Sequence, residues 1–180
     1  MTTVLNSLNQ CLETALAKPE SLRQTLCRLV EELGNKQNLT RLLQAVLLEP
    51  AALREVASRS YRHPNGYDKI VLCSTSEIIV PYEARLHIWW SDTERPDTPI
   101  HDHGWDFASM VLSGRLECQE YEVGEGGLPM YKCSCSRSAK NIYELRYAGI
   151  DEIRPTRKYS ILPHSPYFLE ATTLHRAAGG

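Results

Sequence analysis

The sequence has little net charge: over 180 residues, 20 Lys and Arg against 22 Asp and Glu leave a formal value of −2. That balance argues against a broad nucleic-acid footprint and against attraction to an acidic membrane surface. No apolar run approaches the ~18 residues that a membrane-spanning helix requires. Met1-Thr2-Thr3-Val4-Leu5-Asn6 lacks the basic-then-apolar order of a secretory signal. A cytoplasmic location is therefore expected. Close cysteine pairs at zinc-site spacing are also missing, although there are six cysteines. Reduced thiols are expected in that compartment. The one local pair, Cys133 and Cys135, falls on one face of a strand. Its plain reading is a solvent-side or packing role, and the alternative is a soft-metal or redox role.

What is present is ordinary globular composition, with 42% hydrophobic and 23% charged residues. It suits one domain, or one domain with a modest appendage. The chain changes character near residue 60. Before it, apolar residues recur at helical spacing: Leu5, Leu8, Leu12, Ala15 and Leu16 form one stripe. Leu22, Leu26, Leu29, Val30 and Leu33 form another. Pro19-Glu20-Ser21 reads as a helix start and Gly34-Asn35 as its stop. Asn38-Leu39-Thr40 reads as the start of a third helix running to Leu48, and Pro50 opens a fourth ending near Ser58. Each helix has a single apolar face, so the set is expected to cap something else.

After residue 60 the period becomes two. Strands are expected over 69–74, 77–80, 84–90, 106–112, 115–123, 130–135, 141–147, 149–153, 159–161, 167–171 and 174–177. Pro64-Asn65-Gly66, Ser113-Gly114 and Gly124-Glu125-Gly126-Gly127 read as turns between them. Many short strands separated by turns point to a barrel or sandwich. The expected organisation is a helical cap over 1–60 and a β part over 61–180, with no internal repeat.

The most informative stretch is Pro99-Ile100-His101-Asp102-His103-Gly104-Trp105. Histidines two apart on an extended segment point to one face with Cα atoms about 6.5–7 Å apart. Both imidazoles can then reach one ion at about 2.0–2.1 Å from each nitrogen. The next residues, Phe107 to Glu117, read as a buried strand, a tight turn at Gly114 and a returning strand. Near the end, Ser165-Pro166-Tyr167-Phe168-Leu169 leads to Leu174-His175-Arg176.

The two stretches together resemble the paired signatures of the cupin superfamily, and within it the cysteine dioxygenase-like thiol dioxygenases. The resemblance covers roughly residues 60–178, and the helical lead-in is compatible with that family's N-terminal cap. It implies a mainly β, cupin-type small barrel with the α-helical cap in front. It implies metal ligation by His101, His103 and His175, with His164 in Leu162-Pro163-His164 as the competitor for third ligand. Fe(II) is the implied cofactor, and nickel, copper or zinc suit the same donors. The implied reaction joins dioxygen to a small thiol or amino-acid-like molecule. Arg62 or Arg85 would hold a substrate carboxylate, with Arg176 a rival. Apart from the resemblance, Trp105, a candidate substrate contact, is read with Trp89, Trp90 and Phe107 either as an apolar wall at the metal mouth or as ordinary barrel packing.

This sequence departs from the family in three ways. Where many cupins carry a glutamate ligand it has Phe107 and Ala108, so three histidines alone are implied unless Asp106 swings in. The arginine matches only loosely at Arg62. The sequence stops at Ala177-Ala178-Gly179-Gly180, where the family continues with a histidine, a tyrosine and closing strands. A barrel with fewer strands or a shortened chain is implied. His87, alternating with large apolar residues, is read either as a satisfied core histidine or as a donor behind the ligands. His63 is read as a turn residue. Tyr82, Tyr121, Tyr143 and Tyr159 are candidate acid/base groups. A non-oxidative metal-dependent isomerase or lyase, or a non-catalytic binding module, are the alternative functions.

Overall fold

The computed structural model describes residues 3–18, 20–75, 81–90, 98–137 and 143–179. Strands hold 45% of the chain, and four helices precede them. Among the described residues no helix is long and apolar enough to cross a membrane. The expected strand at 77–80 and Pro19 lie outside the described residues, as do the first two residues of the strand expected at 141–147.

The helices follow the stripes. In α1 (Thr3–Leu16) the buried residues are Leu5, Leu8, Leu12 and Ala15, one face at helical spacing. Glu49 covers its start from the junction of later helices, accepting from the N–H of Thr3 at 3.0 Å and of Val4 at 3.2 Å. In α2 (Leu22–Gly34) the cap is Ser21, whose side chain accepts from the Gln24 N–H. Gly34 is the last residue of α2, and a Cβ there would overlap the Met110 side chain. Asn35 both closes α2 and opens α3 (Lys36–Leu48), its side chain accepting from the N–H groups of Gln37 and Asn38. The third helix therefore begins before Asn38, the expected start. Pro50 opens α4 (Pro50–Arg59).

Eight strands follow among the described residues. The first sheet joins β1 (Tyr61–Arg62), β2 (Asp68–Thr75) and β3 (Tyr82–Ile88) in the order β1-β2-β3. Its two faces differ. Ile70, Leu72, Cys73, Tyr82, Ala84 and Leu86 pack on Leu8, Leu12, Ala15 and Leu29 of the helices. A bulge between Val71 and Cys73 lets both Leu72 and Cys73 serve that core. The other face carries Tyr61, Lys69, Val71, Arg85 and His87, as the pairs Tyr61↔Lys69, Lys69↔His87 and Val71↔Arg85 require.

β4 (Phe107–Met110) pairs with β7 (Pro166–Leu169), forming a second sheet. The third has the order β6-β5-β8, from β5 (Leu116–Arg137), β6 (Tyr143–Ile161) and β8 (Leu174–Gly179). All pairing is antiparallel, and none of the three sheets closes into a barrel.

The long ribbon β5–β6 replaces five of the short strands expected from sequence, those at 115–123, 130–135, 141–147, 149–153 and 159–161. Gly124-Glu125-Gly126-Gly127 is not a turn between strands but an insertion inside β5: Val123 and Leu128 both pair with Ile153. Gly126 takes φ 79°, which favours glycine. Gly127 lies so close to β6 that a Cβ would stand 2.6 Å from the Ile153 nitrogen. Near the ribbon's base, Leu116, Cys118 and Ile161 make a small core with Val111, Tyr159, Tyr167 and Ala177.

Candidate metal centre

Backbone pairing assembles the site. His101 and His175 face each other as an antiparallel pair, exchanging N–H···O bonds of 2.9 Å in both directions. Two residues on, His103 donates its N–H to the Ala171 carbonyl at 2.9 Å. Thr98 secures the segment on its other side, its hydroxyl donating to the Ala177 carbonyl at 2.7 Å and accepting from the Ala177 N–H. The i, i+2 spacing then turns both His101 and His103 toward His175. Ring centroids are 5.0 Å apart for His101–His103, 4.6 Å for His101–His175 and 5.1 Å for His103–His175. One ring nitrogen from each lies within 4.8 Å of the others. The three histidines are so placed that they can hold a metal ion.

The surroundings prepare the nitrogens for that role. His101 Nδ1 lies 2.8 Å from the Pro99 carbonyl and His175 Nδ1 3.1 Å from the Thr173 carbonyl. A carbonyl only accepts, so each Nδ1 is the donor and Nε2 is the nitrogen left to ligate. His103 Nε2 is buried with no hydrogen-bond partner among the described residues. An orphan buried acceptor is costly unless something fills its lone pair, and a cation does so. Burial pushes the His103 pKa down to about 3, with His101, His175 and Arg85 adding to the effect. His175 is lowered by burial as well. Both are neutral near pH 7, the form that ligates.

The fourth-ligand place is apolar. The Phe107 ring stands edge-on to His103 at 4.7 Å and 6.5 Å from His175. Asp106 does not swing in, because its carboxylate accepts the Ala171 N–H at 2.7 Å. His164 stays apart: it is exposed in the β6–β7 turn, with φ 62° and its N–H given to the Val111 carbonyl.

The arginines separate by strand parity. Arg62 is paired with Asp68 at 3.0 Å, across β1–β2, on the opposite sheet face from Lys69 and Arg85. The Trp90 indole also donates to Asp68, at 2.7 Å, so Trp90 does not join the expected apolar wall. Arg176 follows the inward His175, is exposed and donates to Gln119. Arg85 alone of the three is brought to the histidines. Its guanidinium lies 5.6 Å from the Trp105 ring centre, and that ring is 6.1 Å from His103. Glu83 steadies it, accepting from Arg85 at 2.8 Å and from the buried Lys69 at 3.0 Å.

His87 is in neither expected role. The residue as a whole is exposed, but its ring packs within an aromatic group, tilted 4.5 Å from Tyr67 and edge-on 5.8 Å from Trp89. Desolvation first, then the charges of Arg85 and Lys69, push its pKa down to about 3. His63 is a turn residue, its N–H bonded to the Tyr67 carbonyl and its ring stacked on Tyr67 at 4.5 Å.

Among the candidate tyrosines, Tyr82 is engaged with Asn9 of α1, and the Tyr143 side chain lies outside the described residues. Tyr159 donates to Glu120 at 2.7 Å. Glu120 was missed in the sequence. It is the β5 residue directly opposite His175, so its carboxylate lies on the ligand side of the strand. A legible signal existed: Leu116, Cys118 and Glu120 alternate, which puts one carboxylate on an otherwise apolar face. Compared with known proteins, the chain matches no family model, no curated protein and no solved structure.

Proposed function

We propose that this chain is a metal-dependent cupin, an iron-dependent dioxygenase acting on a small thiol or amino-acid-like molecule. The observation that carries the reading is the histidine triad itself. Two of the histidines are oriented by carbonyls, and the third has a buried Nε2 that no described residue satisfies. When bound, Fe(II) would supply a shared meeting point for thiol and dioxygen, and the four electrons that reduce dioxygen would come from the thiol sulfur.

The chain's own residues do the rest. Arg85, steadied by Glu83, offers a planar donor pair beside the histidines for a substrate carboxylate. Phe107 supplies apolar surface on the His103 side, with the half-exposed Trp105 ring at its rim. Three neutral nitrogens also suit zinc or nickel acting as a Lewis acid. That donor set favours a non-oxidative isomerase or lyase as the second reading.

Elemental analysis of protein made in iron-replete medium, followed by oxygen uptake with a panel of small thiols, tests the reading. Iron near one ion per chain with thiol-dependent uptake is expected, and His101→Ala should abolish both. Zinc as the only metal, with no uptake, would favour the second reading. No metal at all, or a His101→Ala protein unchanged in metal and uptake, would end both.

A further inference from the structure

The outer part of the β5–β6 ribbon is amphipathic, and among the described residues nothing covers its apolar face. Cross-strand pairs share a face. Tyr131↔Ile150, Cys133↔Tyr147 and Cys135↔Leu145 therefore put these six side chains on one side of the ribbon. The Tyr131 and Tyr147 rings meet there edge to face at 6.1 Å. The opposite side carries Lys132, Asp151, Glu144 and Arg146 among serines and Met130, with ion pairs Lys132–Asp151 at 2.9 Å and Arg146–Glu144 at 3.6 Å. The charges are thus paired on one face and absent from the heart of the other. At the inner limit of the apolar face stands Glu152, whose carboxylate accepts the Gly126 N–H at 2.7 Å.

We infer that this face is an interface between two copies of the chain, packed ribbon on ribbon about a two-fold axis. Three observations select a second copy as the occupant. First, the three cross-strand pairs Tyr131↔Ile150, Cys133↔Tyr147 and Cys135↔Leu145 hold no charged side chain, so the centres of two identical faces meet without opposing like charges. Second, its area is sufficient. Tyr131 is 81% exposed, Leu145 70%, Tyr147 65% and Ile150 57%. At roughly 150–200 Å² per side chain these four present about 500 Å², so two copies remove about 1,000 Å² from water. That is where a specific interface begins. Third, a two-stranded ribbon with one bare apolar face is marginal in water, and a facing ribbon turns it into a stacked pair of sheets. Cys133 and Cys135, both exposed on this face, would lie inside the contact.

Sedimentation velocity of the full chain under reducing conditions, from about 1 to 100 μM, tests this. The expected species has twice the 20.4 kDa chain mass. Leu145→Lys combined with Tyr147→Lys should weaken association at least tenfold. The double variant should keep the wild-type metal content and circular dichroism, because both side chains are solvent-facing in one chain. Met130→Lys, on the opposite face, should leave the dimer intact. A wild-type monomer throughout that range would overturn the inference. So would an assembly that the double variant leaves unchanged, or one that Met130→Lys disrupts equally.

Discussion

One ribbon, β5–β6, passes through two environments. At its base β8 adds a third strand, and Leu116, Cys118 and Ile161 are buried against Tyr159, Tyr167 and Ala177. Beyond Tyr121 the third strand ends, and large side chains from Val123 to Ile150 stand in solvent. The hydrogen-bond ladder is continuous through both halves apart from its bulges. Backbone pairing therefore builds the ribbon, and packing decides where it is rigid enough to position chemistry. His175 and Glu120 fall in the packed half, where neighbours on both sides fix their orientation. Among the described residues the outer half carries no histidine, only an apolar face with Cys133 and Cys135 and paired charges on the other.

The strongest way to break this comparison is to exchange damage between the halves. His175→Ala is expected to lower metal affinity by more than about 100-fold, beyond the 10–100-fold typical of residues behind a ligand. Tyr147→Ala should leave metal content unchanged. Elemental analysis after dialysis against a weak chelator reads both. Equal loss in the two variants would mean that the outer ribbon supports the site after all.

Stability sharpens the same contrast. Leu116→Ala removes a core side chain that is 8% exposed, at an expected cost of about 2–4 kcal/mol. Leu145→Ala should cost at most about 0.5 kcal/mol within the single chain. Urea midpoints for the two variants, measured below the concentration at which chains associate, provide the test. Between these lies the bulge that joins the halves. Gly127→Ala would press a methyl into the Ile153 backbone and should cost about 1–3 kcal/mol. Gly124→Ala meets only the Arg154 guanidinium, at 3.7 Å, and should be nearly neutral. Faster amide exchange over residues 150–154 in the Gly127 variant alone would locate the damage.

Legibility in the sequence divides along a similar line. Local period carried the helices: the α1 stripe is the buried set Leu5, Leu8, Leu12 and Ala15. Spacing alone carried His101 and His103, because two residues of one strand share a face. His175 rested on a family resemblance, since its pairing with His101 is long-range and leaves no local trace. Parity of register decided that Arg85 and not Arg62 reaches the histidines, and parity was not readable before pairing was known. The Gly124–Gly127 stretch misled because glycine serves a turn and a bulge equally well. Its continuation into Leu128 depends on a partner strand more than twenty residues away.

The smallest expected effect lies on the first sheet and is read by pH. His87 faces Arg85, Lys69, His63 and His103, and its folded pKa of about 3 is below its ordinary 6.5. Below about pH 6.5 the unfolded chain therefore binds a proton that the folded chain refuses. The stability cost is absent above that pH and grows as pH falls toward 3. Because the residue is exposed, solvent screening limits the loss to about 1 kcal/mol or less. His87→Gln should flatten the slope of the urea midpoint between pH 6.5 and 4.5 while leaving the midpoint at pH 8 nearly unchanged. An unaltered slope would mean that the acid sensitivity belongs to other groups, and that the aromatic stack around His87 admits its charged form.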